Sequence, residues 1–209
     1  MILVDKIKSL GYSVETIDEG IYRIFDFLTQ EEQEYLHSLA DNATEEEWQE
    51  EYVETLKESA RHKFGREDIW QLEKEGLIGI NPDWFDRTLT IPGMLPKTLA
   101  ARMQDFFSAE EAVRPLITIQ RHYPGTKLDE HVDQDHDPNL LYASVVYIND
   151  NFVDGELYFP ERNLEIRPVE RSLVVFSAAH GYLHGVKTVG PGPTRYAIAS
   201  FIWRADAKV

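Results

Sequence analysis

From residue 114 onward the chain breaks into short β-prone runs with no helical period between them, and this limits the fold more than any other feature. Residues 116–119, 141–148, 156–159, 164–167, 172–176, 184–189 and 195–203 are rich in β-branched and aromatic side chains. Pro124-Gly125, Asp154-Gly155, Arg167-Pro168 and Gly190-Pro-Gly-Pro193 punctuate them. Strand after strand without a crossover helix argues against a parallel α/β sheet and for a sandwich or jelly roll. The chain before residue 114 has a different period. Residues 21–25 read as one strand, and Thr29-Gln-Glu-Glu32 is a capping box opening a helix with Tyr35, Leu36, Leu39 and Ala40 at helical spacing. A second box, Thr44-Glu-Glu-Glu47, predicts a helix with Trp48, Tyr52 and Leu56 on one stripe. Pro96 suits the first turn of another, whose apolar positions are Leu99, Met103, Phe106 and Phe107. Residues 76–93 read as irregular, with two short strands at most. The expectation is one α+β domain over 1–209, with 1–113 mainly helical support and 114–204 a jelly-roll core.

Charge narrows the function. The 37 acids outnumber the 21 lysines and arginines, for a net charge of −16. A nucleic-acid binder needs a basic stripe to displace counterions, so that class is disfavoured. The acids read first as a solvated, soluble surface, and in the sharper reading as one that would steer a basic polypeptide. There is no cysteine, which excludes disulfides and thiolate metal sites and leaves nitrogen and oxygen ligands. No apolar run approaches membrane-spanning length, and Met1-Ile-Leu-Val-Asp5 has no export-signal pattern, so a cytoplasmic protein without a membrane partner is expected.

The chemistry gathers around one triplet, His131-Val-Asp133. Alternate residues on a strand face the same way, so this imidazole and carboxylate could grip one ion. Such a triplet is common by chance, and His184, opening a later apolar run, is what raises its interest. Two histidines and one carboxylate on one face of a metal leave three open positions, as non-haem Fe(II) oxygenases require. Arg195 follows across Gly190-Pro-Gly-Pro193, predicting a hairpin between the strands of His184 and Arg195. Alternation puts Arg195, Ala197 and Ala199 on one face, where small alanines leave a cavity and the guanidinium offers a fork for a carboxylate.

His122-Tyr-Pro-Gly125, His131-Val-Asp133, Val146-Tyr-Ile-Asn149, Asp154-Gly-Glu-Leu157, His184-Gly-Val186, Thr194-Arg-Tyr196 and Phe201-Ile-Trp203 follow one another in a known order. Over roughly residues 114–204 the chain resembles the prolyl 4-hydroxylase branch of the 2-oxoglutarate/Fe(II) oxygenases, most of all the oxygen-sensing prolyl hydroxylases. The resemblance implies a double-stranded β-helix, a jelly roll open at one end, with supporting helices outside. It implies Fe(II) held by His131, Asp133 and His184, with 2-oxoglutarate and O₂ as co-substrates and ascorbate as an accessory reductant. Arg195 would bind the distal carboxylate of 2-oxoglutarate, Tyr147 would share it by a hydrogen bond, and Tyr123 would lie beside the co-substrate near the metal. The implied reaction couples decarboxylation of 2-oxoglutarate to succinate with hydroxylation of an unactivated C–H bond.

Three function classes stand open at this point: a hydroxylase of prolyl residues in a protein or peptide, a hydroxylase of a small molecule or free amino acid, and a non-enzymatic jelly-roll module. Residues 129–140 and 81–95, as loops flanking the site, are where substrate contacts are expected. His180, four residues before His184, has the spacing of a helical metal pair, but Gly181 and the strand pattern argue against a helix. His136 reads as a surface-loop residue beside the iron motif. Nothing in the sequence specifies the oligomeric state.

Overall fold

A computed structural model describes residues 2–48, 87–135 and 137–207, with Arg87 by its backbone alone. The expected helix over Tyr52 and Leu56, residues 81–86 of the flanking loop, and His136 lie outside the described residues. The chain opens with helix α1 (Val4–Ser9), strands β1 (Val14–Asp18) and β2 (Ile21–Ile24), and helix α2 (Gln30–Asn42). After the gap come β3 (Arg87–Thr90), α3 (Leu95–Gln104), β4 (Glu111–Val113), β5 (Thr118–His122) and β6 (Leu128–His131). A 3-10 turn, Asp133–Asp135, leads to β7 (Leu140–Tyr147), β8 (Leu157–Phe159), β9 (Leu164–Ile166), β10 (Leu173–Ser177), β11 (His184–Val186) and β12 (Arg195–Arg204).

The strands form two antiparallel sheets. The larger has the order β1-β2-β10-β7-β12-β5-β3, with β4 on the far end of β12; the smaller has β6-β11-β8-β9. Packing one over the other gives the jelly roll expected from the run of short strands. The first half of the chain contributes more than helical support, because β1–β4 all join the larger sheet. Of these, β1, β3 and β4 pair on one side only among the described residues, as edge strands do, and β2 joins β1 to β10.

Each face of the larger sheet is covered differently. Outward residues such as Val146, Leu173 and Ile198 pack with Leu36 of α2 and Leu99 and Met103 of α3 in the main core. Inward residues Ile21, Tyr147, Val174, Phe176 and Ala197 meet Leu157, Phe159 and Ile166 of the smaller sheet. The period-2 pattern of each strand thus separates a helix-facing set from a cavity-facing set.

The supporting helices are pinned by polar contacts. In α2 the capping box is complete, with Thr29 Oγ1 accepting from Glu32 N and Glu32 Oε2 accepting from Thr29 N. Glu32 also takes a two-point ion pair from Arg102 of α3, both contacts at 2.7 Å. The second expected box is half present: Thr44 N donates to Glu47 Oε2 at 2.8 Å, and residues 45–47 form a turn. No helix among the described residues is long and apolar enough to cross a membrane.

One expected pairing is overturned. The strands of His184 and Arg195 do not form a hairpin: β11 pairs with β6 and β8, whereas β12 pairs with β4, β5 and β7. The connection crosses from one sheet to the other, bridging Val189 to Asp154 on the way. Proline cannot donate to a ladder, so Pro191 and Pro193 suit a crossing better than a hairpin.

Candidate metal centre

Cross-strand register brings the two histidines together. His184 of β11 stands directly opposite His131 of β6, and opposite partners in an antiparallel ladder project to the same face. Their ring centroids lie 4.4 Å apart. Asp133 arrives differently from the expected strand alternation. β6 ends at His131, and the carboxylate is carried by the first residue of the 3-10 turn. Gln134 N, donating to Ala178 O at 3.2 Å, holds that turn against the segment after β10.

The donor atoms suit a cation. His131 Nε2 is 3.4 Å from Asp133 Oδ1, and His184 Nε2 is 3.7 Å from Asp133 Oδ2. One ligand atom from each of the three residues falls within 4.8 Å of the others. Both imidazoles use Nδ1 on a backbone carbonyl two residues earlier, Asp129 O and Tyr182 O, each at 2.9 Å. With Nδ1 protonated for those bonds, Nε2 keeps its lone pair toward the cluster. Asp133 Oδ2 is buried and makes no hydrogen bond among the described residues, a costly state for a carboxylate oxygen unless a cation meets it.

Environment separates the two imidazoles. Burial against Phe176, 4.5 Å between centroids, pulls His184 down to about 4. At His131 burial also disfavours the cation, but the Asp133 carboxylate and the Asp129 carbonyl outweigh it and raise the pKa. His180, by contrast, stands outside the cluster in an exposed contact with Asp135 at 3.5 Å.

The cluster opens onto a cavity of about 320 Å³ between the sheets, near the lower bound of the ~300–1,000 Å³ typical of ligand pockets. Arg195 closes its other end. The guanidinium belongs to a residue only 1% exposed, and no carboxylate lies within ion-pair distance among the described residues. Its Nε makes no hydrogen bond there, and neither does the buried Tyr147 hydroxyl. Burial pulls the Arg195 pKa down, with Tyr147 partly offsetting. A buried cation without a counter-charge is unstable unless an anion is supplied from outside. The buried Asn149 fixes this end: its amide donates to Thr194 O at 2.9 Å and accepts from Tyr196 N at 2.8 Å, joining the end of β7 to the start of β12.

Tyr123 is not where the resemblance implied. Just past the end of β5, its hydroxyl donates to Glu45 at 3.2 Å and its ring lies by the Arg121 guanidinium, and neither Tyr123 nor Arg121 lines the cavity. Arg121 is held from its other side by Trp48 and pairs with Glu45 at 2.7 Å. The inward residue at this end of β5 is His122, the register partner of Arg195. Burial, then the Arg195 charge, holds its imidazole well below the usual range, so it lines the cavity as a neutral group. Counting alternate residues from Arg195 would have found His122 only once β5 was known to pair with β12.

Gly185, between the cluster and the next strand, is demanded by packing. A Cβ there would stand 2.7 Å from Leu128 O on β6 and 2.9 Å from the Tyr158 ring on β8. Gly185→Ala must therefore spread β11 from β6 and disturb the His131–His184 register. We expect a melting free-energy loss of about 1–3 kcal/mol and Mn(II) binding weaker by on the order of 10–100-fold. A folded Gly185→Ala protein with wild-type Mn(II) affinity in a titration would show that this register does not matter.

Comparison with known proteins agrees with this architecture. Residues 117–203 match the model of the 2OG-Fe(II) oxygenase superfamily. A search of curated proteins gives no match. Among solved structures, an oxidoreductase of the 2OG-Fe(II) oxygenase family from Burkholderia pseudomallei superposes with TM-score 0.58 at 14% identity, over 96% of this chain and 89% of that one. A prolyl hydroxylase from Trichoplax adhaerens, in complex with a hypoxia inducible factor oxygen degradation domain peptide fragment, gives 0.57 at 15% over 95% and 87%. A Pseudomonas putida prolyl-4-hydroxylase gives 0.53 at 16% over 96% and 98%. At such identities these likenesses speak for the fold. The matched span, residues 117–203, is the one that carries His131, Asp133, His184 and Arg195.

Proposed function

We propose that the protein is an Fe(II)/2-oxoglutarate-dependent dioxygenase that hydroxylates an unactivated C–H bond of prolyl residues in a protein or peptide. The observation that carries this reading is the pairing of two unmet groups across one cavity: the His131–Asp133–His184 donor set at one end and the buried Arg195 guanidinium at the other. His131, Asp133 and His184 would hold Fe(II), which with 2-oxoglutarate and O₂ supplies the oxidising equivalent, while the co-substrate leaves as succinate and CO₂. Arg195 would neutralise the distal carboxylate, with the Tyr147 hydroxyl adding one hydrogen bond. Phe159 and Phe176, packed on His184, would keep the metal's inner side dry.

The peptide half of the proposal rests on three supports. A prolyl hydroxylase of similar fold is known with a peptide fragment in its complex. The loop after the iron motif is acidic, and the chain carries −16 overall, which favours encounter with basic partners at low salt. Of the loop's acids, Asp135 is 60% exposed, whereas Asp137 accepts from Asn139 N and Trp203 Nε1 and is engaged in shaping the loop. Asp135→Lys is therefore the clean test of steering.

With Fe(II), 2-oxoglutarate and ascorbate, a panel of proline peptides of varied charge should give +16 Da products, basic peptides best. Asp135→Lys should raise the Michaelis constant for a basic peptide, and added salt should shrink that difference. Oxidation of a free amino acid or other small metabolite, with every proline peptide untouched, would replace this reading with the small-molecule one.

A further inference from the structure

The function proposed above gives no role to the wall of the cavity formed by β5 and β3. We infer that Gln120, with Thr118 and Thr88 beside it, receives a neutral amide of the primary substrate, so that the site takes the peptide group next to the oxidised carbon and turns away a free amino acid. This inference rests on the function proposed above and concerns the substrate class at the same site.

Register lays out the wall. His122 stands opposite Arg195, Gln120 opposite Ala197, and Thr88 of β3 opposite Gln120 on its other side. Thr118, Gln120, His122 and Thr88 all line the cavity. Moving away from the Arg195 end, the wall therefore presents an imidazole, a carboxamide and then a hydroxyl, where the neighbouring strand β12 offers the small Ala199. Space is left on one side and hydrogen-bonding groups on the other.

The charge inventory excludes much. The charged or metal-binding side chains lining the cavity are Asp133, Arg195, His131 and His184. The proposed function commits all four, three to metal and one to the co-substrate carboxylate. Among the described residues, nothing charged remains for the primary substrate. A free amino acid would bring an ammonium and a carboxylate into a half-enclosed space without partners, at a large desolvation cost.

Gln120 is suited to the alternative. Its side chain is half-buried, and neither its amide nor the Thr118 hydroxyl makes a hydrogen bond among the described residues. A carboxamide offers two donors and a carbonyl acceptor, the complement of a peptide group. Once substrate covers the wall, a ligand that leaves this amide unmet loses the desolvation energy, which is how a polar wall discriminates.

The test uses the whole chain loaded anaerobically with Mn(II) and 2-oxoglutarate. N-acetyl-L-proline N-methylamide and free L-proline are titrated in, and relaxation of their ring protons by Mn(II) is read by NMR. The capped probe should be relaxed, and free proline should bind about tenfold more weakly or worse. Gln120→Leu should weaken the capped probe about three- to tenfold. Gln120→Glu, nearly isosteric, should weaken it comparably and narrow the gap to free proline, because a carboxylate now meets the ammonium. Loading of both variants with Mn(II) and 2-oxoglutarate serves as the folding control. Equal relaxation of the two probes, no relaxation of either on loaded protein, or no effect of Gln120→Leu would each overturn the inference. Failure of the wild type to load Mn(II) or 2-oxoglutarate is read separately, and would overturn the proposed function and this inference with it.

Discussion

Asp133→Ala and His184→Ala should each abolish stoichiometric Fe(II) or Mn(II) binding, while His180→Ala leaves it intact. Asp133 contributes the one carboxylate of the cluster and sits 3.4 and 3.7 Å from the two imidazole Nε2 atoms. Without it a divalent ion would face two neutral donors in a half-buried site and gain too little to offset its lost hydration. His184 is 4% exposed and is oriented by the Tyr182 carbonyl. Among the described residues, His180 reaches only the exposed Asp135. Titration of metal-free protein with Mn(II), followed by electron paramagnetic resonance, reads all three variants directly. Metal binding that survives His184→Ala but fails in His180→Ala would reverse the assignment of the second histidine.

The same set fixes a pH dependence. His184, held at about 4 by burial, is neutral and ready to donate across the physiological range. His131 has its pKa raised above the ordinary imidazole value by Asp133 against the effect of burial, so in mildly acidic solution it carries a proton that a metal must displace. Affinity should therefore fall as pH drops into the mildly acidic range, with on the order of one proton released per metal until the region near pH 4, where His184 competes as well. An affinity flat between pH 7 and pH 5 would show that His131 is not a ligand.

How much of this was legible in the sequence depended on whether a feature is local. The Thr29–Glu32 capping box is a contact across three residues, and the alternation that puts Arg195 and Ala199 on one face is a property of β12 alone. Pairing is not local. The expected His184–Arg195 hairpin does not form because closeness along the chain does not decide strand pairing, and Gly190-Pro-Gly-Pro193 carries the chain between two sheets. Asp133 reaches the cluster through a 3-10 turn, which an assumed continuous strand could not show, although the triplet still brought its two side chains together. The place of His122 is hidden for the same reason: that it faces inward is decided by the register of β5 with β12, and Tyr123, the next residue, turns the other way to Glu45. Strands β1 and β4 were missed because, at five and three residues, they lie on sheet edges where the alternating burial that marks a strand is weak.

Arg195→Met should uncouple the affinity for 2-oxoglutarate from the stability of the protein without it. In the wild type the guanidinium is buried with no counter-charge among the described residues, and its pKa is pulled down by that burial. A methionine of similar reach removes the buried charge and keeps most of the packing. The ligand-free variant should therefore melt at or above the wild type. Binding should move the other way. A charge-assisted, two-point contact is worth roughly 1.5–3 kcal/mol, so 2-oxoglutarate should bind ~10–150-fold more weakly to Mn(II)-loaded variant, with Mn(II) affinity changed little. At a concentration a hundred times the wild-type dissociation constant, the ligand stabilises the wild type by ~2.7 kcal/mol and the variant by only about 0.3–1.4 kcal/mol. Tyr147→Phe, which removes one hydrogen bond to the same group, should cost about two- to tenfold. Thermal melts with and without 2-oxoglutarate read both halves at once. A purely structural role for Arg195 would instead lower the ligand-free melting temperature and leave the ligand-induced rise intact, and that pair of results would remove Arg195 from the co-substrate site.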